Sequence, residues 1–377
     1  MKIGILCYPT YGGSGIVATE LGMALAYKGY EVHFISSNLP ARLDITNPNI
    51  FFHKVNVQTY PLFQYQPYDI ALSSMIYRVV NLYKLDLLHA HYAIPYAYAA
   101  FTAKQMLKEE GKDIPLVTTL HGTDITLVGQ HPSYKHAVEF SINQSDTITS
   151  VSESLKKDTL QFFNIKKEIQ VITNFIDNSD FDGPNDCTRR QFATDDEKIL
   201  IHVSNLRPVK RVGEVLTIFK NVHKLIKSKL IIIGEGPDME IISQFLEENP
   251  ELIGEIRLLG KVNDLYKILE LSDVFLLPSE QESFGLAALE AMAARTPVIS
   301  SNAGGIPEVN LQGVTGFLAE IGNVEAMSNY TIKLLSDENL LAEMKINAKE
   351  QALKFDLQNV LPVYEKMYAD TLATFGK

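Results

Sequence analysis

Residues 273–295 read DVFLLPSEQESFGLAALEAMAAR. The apolar run Val274–Leu277 stops at Pro278 and reads as a buried strand, while the Ala- and Leu-rich run from Phe284 favours helix. Glu282 therefore falls in the strand-to-helix loop, and Glu290 about two turns into the helix. Both carboxylates can face the crevice at the strand's carboxyl end, which is where open α/β sheets bind ligands. Packing alone does not ask for two acids at that spacing.

The same rhythm extends in both directions. Short apolar runs alternate with amphipathic helical stretches, the βαβ pattern of a parallel sheet covered on both faces. In the first half the strands read KIGILC, EVHFIS, DLLHAH, PLVTTL, DTITSV and IQVIT, with a first helix at IVATELGMALAYKG. The segment NFIDNSDFDGPNDC, 174–187, is polar, carries Gly183-Pro184 and has no helical period, so it reads as a linker. The pattern then restarts with KILIHVS, KLIIIG, EIRLLG, DVFLLP, TPVISS and TGFLAE. The expected architecture is α/β, with two doubly wound Rossmann-like domains at 1–173 and 188–356 facing across a cleft. The tail 357–377 has an amphipathic helical pattern interrupted at Pro362 and is expected to pack back on the first domain.

Bulk composition narrows the function classes. A chain of 377 residues fits two domains of ordinary size. A net charge of -11 argues against nucleic acid or an anionic membrane as the main partner. No stretch approaches the ~18 consecutive apolar residues of a membrane span. The opening MKIGILCYPT is a first strand rather than a signal peptide. Two cysteines, Cys7 and Cys187, make no disulfide framework, so a reducing cytoplasm is the expected compartment. A homo-oligomer is left open.

Several strand ends carry residues with chemistry. After the first strand, Gly13-Ser14-Gly15-Ile16-Val17-Ala18 formally matches the dinucleotide fingerprint G-x-G-x-x-G/A. The acid that a nicotinamide site needs after the second strand is missing, because that strand runs out in Phe34-Ile35-Ser36-Ser37-Asn38. What remains is a small-residue turn at a helix start, able to approach an anion or sugar closely or to be a tight turn with no ligand. His89 and His91 share one strand face, but no Cys or tight carboxylate cluster accompanies them, and no metal site is assigned. His121, last in its strand before a Gly turn, either points into the cleft near Thr119 and Asp124 or is a satisfied structural histidine.

In the second half HVSNLRPVKRVGE places Ser204, Asn205, Arg207, Lys210 and Arg211 directly after a strand. Cations there, beside a helix N-terminus, suit a pyrophosphate; a solvated basic loop is the bland alternative. Gly234–Asp238, Gly260–Asp264, Glu282–Gly285 and Asn302–Glu308 fall at the same end of the same sheet. Arg42, in NLPARLD after the second strand, is a further candidate cation, with a solvated loop residue as its alternative.

With these pieces in place, ESFGLAALE resembles the E-x7-E motif of the retaining GT-B glycosyltransferases of family 4, with its basic loop upstream and Gly-Gly-Ile-Pro-Glu downstream. The resemblance covers essentially the whole chain. CYPTYGGSGIVATELG, HAHYAIPYA, TTLHGTDIT and HVSNLRPVKR are similar to the branch that acts in bacillithiol biosynthesis. Its activity would be transfer of N-acetylglucosamine from UDP-GlcNAc to the hydroxyl of L-malate.

The resemblance implies roles residue by residue. Glu282 would hold donor-sugar hydroxyls and Glu290 the ribose of UDP. Ser283, Phe284, Gly285 and Leu286 would offer backbone N–H groups, Val262 would read the uracil, and Arg207 and Lys210 would neutralise the departing diphosphate, with Ser204 and Asn205 in the same loop. The family commonly writes Gly-Arg-Leu here; Asn205 stands where that Arg would be, with Arg207 two residues later. Gly13 would approach the donor phosphates, His121 would sit near the donor sugar, and Ser14, Tyr92 and Thr119 would line the acceptor side. Because both acids are assigned to hydroxyls, the implied course is front-face displacement, not a carboxylate nucleophile. No Asp-x-Asp motif stands in a divalent-ion context, so neither a metal nor any other cofactor is expected. The alternatives are a family member with a sugar-phosphate or lipid acceptor, a dehydrogenase or epimerase on similar domains, and a nucleotide-sugar sensor without turnover.

Overall fold

A computed structural model describes residues 1–59, 61–181, 186–262 and 264–376. The chain forms two compact units. The first comprises Met1–Asn174 together with the C-terminal segment that begins at Leu357, and the second is Phe175–Asp356. Of the expected linker 174–187, residues 182–185 lie outside the described residues; Asn178–Phe181 makes one helical turn.

In the first unit the strands are β1 (Lys2–Leu6), β2 (Glu31–Ser36), β3 (Ile50–Lys54), β4 (Leu87–His91), β5 (Leu116–Leu120), β6 (Thr147–Ser150) and β7 (Ile169–Val171). They lie in the order β3-β2-β1-β4-β5-β6-β7, every neighbouring pair parallel. The order reverses direction between β1 and β4, so the loops after those two strands diverge to opposite faces and leave a crevice. The central strands are apolar because helices cover both faces. Leu6, Ile35, Leu88, Ala90 and Leu116 are buried against the helices Tyr68–Tyr83 and Tyr98–Lys108.

The second unit holds β8 (Lys198–Val203), β9 (Ser228–Ile233), β10 (Ile256–Gly260), β11 (Val274–Leu277), β12 (Val298–Ser301) and β13 (Gly316–Ala319). The order is β10-β9-β8-β11-β12-β13, again all parallel. Its reversal lies between β8 and β11, whose loops carry Ser204–Lys210 and Ser279–Glu282 respectively. Phe219, Val215, Leu230, Leu276 and Met327 form part of the core on one face.

Two differences from the sequence expectation matter. Strand β3, IFFHK, was not among the expected strands. It is an edge strand paired on one side only, with Phe51, Phe52 and His53 half-buried, so it lacks the continuous apolar run of a central strand. The helix after β11 spans Leu286–Ala293, which puts Glu290 one turn inside rather than two.

At the C-terminus the helix Leu357–Thr374 continues through Pro362. Pro362 lies early in the helix, where loss of one N–H removes a single intrahelical bond. Within the first unit this helix buries Tyr364 and Tyr368. The Lys28 ammonium and the Tyr30 hydroxyl both donate to Glu365, at 2.5 and 3.0 Å.

Candidate active site

The second unit places a cation and an acid in contact at its switch point. Lys210 Nζ lies 2.5 Å from Glu282 Oε1, and Ser279 Oγ donates to the same oxygen at 3.0 Å. The side chains of Lys210 and Glu282 are 20% and 13% exposed, so the pair borders solvent. The two loops are tied by backbone as well, Glu280 N donating to Val209 O at 2.8 Å. A third loop closes on them: Gly305 N donates to Glu282 O at 2.9 Å. Gly304 has φ 53, and a Cβ there would meet Glu282 O at 2.0 Å, so only glycine permits this approach.

The Ser204–Lys210 loop is fixed from below by a chain of hydrogen bonds whose direction is determined. Leu276 O can only accept and Leu206 N can only donate. His202 therefore donates from Nδ1 to Leu276 O (2.8 Å) and accepts at Nε2 from Ser204 Oγ (2.8 Å), which accepts from Leu206 N (3.1 Å). This requires neutral His202; burial lowers its pKa to about 4, and the Leu276 carbonyl opposes that shift only in part. Leu206 holds φ 39, an uncommon value for a non-glycine residue. Beside it Gly234, φ 121, lies so close that a Cβ would overlap Ser204 O at 1.7 Å. Asn205 and Arg207 are exposed at the outer edge of this loop.

Downstream of Glu282, Gly285 (φ 94) caps the helix Leu286–Ala293. Leu289 N is bonded to Gly285 O, so the preceding N–H groups of the first turn have no partner within the helix and are oriented toward its N-terminal side. Phe284 is turned inward, 2% exposed, with its ring edge-on to Phe355 at 5.5 Å, so its side chain packs while its backbone remains at the loop. Ser283 and Glu290 are half-buried. Val262 is half-buried immediately after β10; the next residue, 263, lies outside the described residues.

The first unit organises its switch point mainly with neutral rings and hydroxyls. Gly13 is exposed at the start of the helix Gly13–Tyr27, and Ser14 Oγ accepts from Tyr92 OH at 2.9 Å, joining the loops after β1 and β4. Tyr92 has φ 91 and ψ 141, a costly conformation for a residue with a Cβ, and it directs the ring against His121 with centroids 5.2 Å apart. His121, 7% exposed, shares a hydrogen bond of 2.8 Å between its Nε2 and His91 Nδ1. Burial pushes His121 and His89 down to about 3 and His91 in the same direction, so all three rings are neutral near pH 7.

Thr119 is fully buried, its hydroxyl 2.7 Å from both His89 Nε2 and Thr149 Oγ1, with Tyr368 OH at 2.7 Å on the other His89 nitrogen. It thus lies inside the polar network beneath the loops. Arg42 pairs with Glu20 at 2.9 Å. Among the described residues, no group of three or more His, Cys, Asp or Glu side chains is arranged to hold a metal.

Most of the residues singled out from sequence fall into two sets, each at or beside the reversal point of its own sheet, whereas Val262 follows edge strand β10 and Thr119 is buried in β5. Ser204, Asn205, Arg207, Lys210, Glu282, Ser283 and Gly285 share one set; Gly13, Ser14, Tyr92 and His121 share the other. Sequence reasoning passed over Ser279 and His202, and it left Asp124 without a role. Ser279 bonds the Glu282 carboxylate side chain to side chain within the loop, four residues before the helix begins, so its S-x-x-E spacing is not a helix cap and gave no signal. His202 opens the quoted basic stretch, yet nothing in one dimension says that its ring turns back under the loop.

Comparison with known proteins fits this geometry. Residues 11–180 match the family described as Glycosyltransferase Family 4, and residues 186–351 match Glycosyl transferases group 1. Over 376 residues the chain is 45% identical to N-acetyl-alpha-D-glucosaminyl L-malate synthase of Bacillus anthracis, covering 99% of this chain and 97% of that protein. This chain belongs to glycosyltransferase family 4. Sucrose-phosphate synthase from Thermosynechococcus elongatus superposes with a TM-score of 0.82 over 99% of both chains at 18% identity. Anabaena HepE in complex with UDP-glucose gives 0.79 over 100% of both at 20% identity. These likenesses establish the GT-B fold, two parallel-sheet α/β domains, and the chain is a glycosyltransferase. Among the described residues no helix is long and apolar enough to cross a membrane.

Proposed function

We propose that this chain transfers N-acetylglucosamine from UDP-GlcNAc to the hydroxyl of L-malate, with retention at the anomeric carbon, as the first step of bacillithiol biosynthesis. The observation that carries the donor half is the Lys210–Glu282–Ser279 cluster at the switch point of the second sheet, beside an open helix N-terminus. The acceptor rests on the 45% identity, over nearly the whole chain, to an enzyme named for that product.

In this reading the malate hydroxyl oxygen forms a bond to C1 of the sugar while the bond from C1 to the phosphate oxygen breaks. The electron pair leaves with UDP, and the hydroxyl proton passes to a β-phosphate oxygen on the same face. Lys210, Arg207 and the N–H groups at Leu286 stabilise the charge that develops on the diphosphate, and Glu282 holds sugar hydroxyls. Lys210 is already paired with Glu282, so the donor exchanges that ion pair for two new contacts, phosphate to Lys210 and hydroxyl to Glu282. Tyr92 and Ser14 belong to the acceptor side, supported from below by the buried Thr119, His121 lies near the donor sugar, and the chemistry proceeds without a metal, in a cytoplasmic enzyme.

The test is UDP release from UDP-GlcNAc with and without L-malate, with chelator present, for the wild type and Glu282→Gln. Malate-dependent release that persists with chelator and is lost in the variant is expected. Donor binding without malate-stimulated release would sink the acceptor, and abolition by chelator would sink the metal-free course.

A further inference from the structure

Asp124 is 2% exposed, and no cation is paired with it among the described residues. Its carboxylate spans two loops of the first unit. Oδ2 accepts from Ala93 N at 2.8 Å, on the loop after β4. Oδ1 accepts from Gly122 N at 3.1 Å and, more weakly, from His121 N at 3.4 Å, on the loop after β5. Ala93 is the residue after Tyr92, and His121 and Gly122 are themselves two of the donors. The two loops that carry the strained Tyr92 and the buried His121 are therefore clasped by one side chain that touches neither ring by hydrogen bond.

Both clasped segments have backbones that need holding. Tyr92 sits at φ 91 and Gly122 at φ 111. An N–H with no acceptor at a buried position carries a desolvation penalty, and a carboxylate satisfies several at once. We infer that Asp124 is a positioning residue for the acceptor side: its ionised carboxylate locks the Tyr92 and His121 loops in the register that lets Tyr92 OH reach Ser14 and His121 meet His91. The assignment to the acceptor rests on the transferase reading above; the clasp itself does not.

Ionisation is central to this role. A protonated carboxyl would present an O–H toward one of the backbone N–H donors and lose a bond of the clasp. Burial holds the Asp124 pKa up at about 6, against the pull of the same backbone donors. The ionisable groups facing it are Tyr8 and Tyr92, both shifted up and uncharged near neutrality, and His121, which is bonded to His91 and neutral. Asp124 is thus the group in this cluster that changes charge between pH 5 and 7.

Asp124→Asn keeps the shape, removes the charge and turns one acceptor into a donor. It is expected to lower kcat/KM for malate by about 10- to 100-fold, the scale of a misplaced positioning group. Donor binding by UDP titration should be unchanged. The acid limb near pH 6 in the wild-type kcat/KM for malate should disappear in the variant. A variant with wild-type malate kinetics and the same acid limb overturns the inference. The second measurement needs no variant and no turnover: in wild-type protein labelled with 15N-alanine and 15N-glycine, the Ala93 and Gly122 amides should titrate together with one midpoint near 6. Independent or absent titration of those amides overturns the clasp. A wild type without malate-dependent release but with coupled amide titration would overturn the function and leave the clasp standing.

Discussion

The two units share a topology and differ in how they build the ends of their central strands. The second unit places opposite charges there, Lys210 against Glu282 with the side chains a fifth or less exposed. The first places neutral rings and hydroxyls, His89, His91, His121, Thr119 and Tyr368, buried to less than a tenth. A diphosphate carries formal charge and leaves with more, so cations and helix N–H groups at a solvent border suit it. A small hydroxyl acceptor would have to be oriented rather than neutralised, and a rigid network of buried, mostly neutral polar groups suits that.

The largest expected effect breaks the comparison through pH. Five histidines of the first unit, His33, His53, His89, His91 and His121, have pKa values lowered by burial, whereas His202 is the one shifted histidine of the second. A base whose folded pKa is depressed binds its proton only on unfolding. Its contribution is complete above the unfolded value of about 6.5 and is lost as pH falls toward the folded value. For His89 and His121, held at about 3, the loss between pH 7 and 5 is roughly 2 kcal/mol each. Hydrogen exchange at descending pH should therefore show the first unit losing protection before the second. Equal or reversed order would mean that the neutral network is not the acid-labile element.

Next in size is the ion pair. Lys210→Ala and Glu282→Gln should each lower kcat by about 100- to 1,000-fold if the pair serves the transition state. The intact ion pair is not expected to be a major source of stability, since the desolvation of two mostly buried charges offsets much of their attraction. A melting temperature that falls sharply in Glu282→Gln while kcat holds would recast the pair as structural.

A smaller effect probes the support of the donor loop. Ser204→Ala cuts the chain from His202 to Leu206 N, and the expected cost is about 3- to 10-fold in donor KM, one hydrogen bond's worth. Unchanged donor KM in steady-state UDP release would show that Gly234 packing alone holds the loop.

Much of this organisation was written in the sequence, for a physical reason. Parallel strands buried on both faces are mostly apolar or β-branched, so twelve strands announced themselves as runs such as KLIIIG and DVFLLP. Edge strands β7, β10 and β13 were legible too; β3 was missed because its apolar run is only Ile50-Phe51-Phe52 before His53-Lys54, with the middle residues half-buried. Charged site residues were legible because Lys210 and Glu282 interrupt apolar runs at strand ends. The support was not: Ser279 Oγ on Glu282, His202 beneath Ser204 and Tyr368 on His89 all join residues far apart in sequence or turned back under a loop. The last of these spans 279 positions. Thr119 was legible as a strand-end hydroxyl, yet its partners bury it, which only the third dimension reveals.

The smallest effect runs against the others and so isolates Asp124. Its folded pKa of about 6 lies above the unfolded value, the reverse of the usual carboxylate case. The folded chain therefore holds the extra proton between about pH 4 and 6, and stability from this group falls as pH rises through that window. Between pH 5 and 7 the wild type should lose about 1 kcal/mol relative to Asp124→Asn, while every shifted histidine makes both proteins gain stability over the same range. Denaturant titration of the two proteins at both pH values cancels the histidines and leaves the Asp124 contribution. A difference that stays constant with pH would mean the backbone donors fully offset burial and that the carboxylate is ionised at no cost. If the difference falls as expected, the first unit keeps a charge that weakens the fold at neutral pH. The three backbone N–H groups it orders are then the physical reason for keeping it.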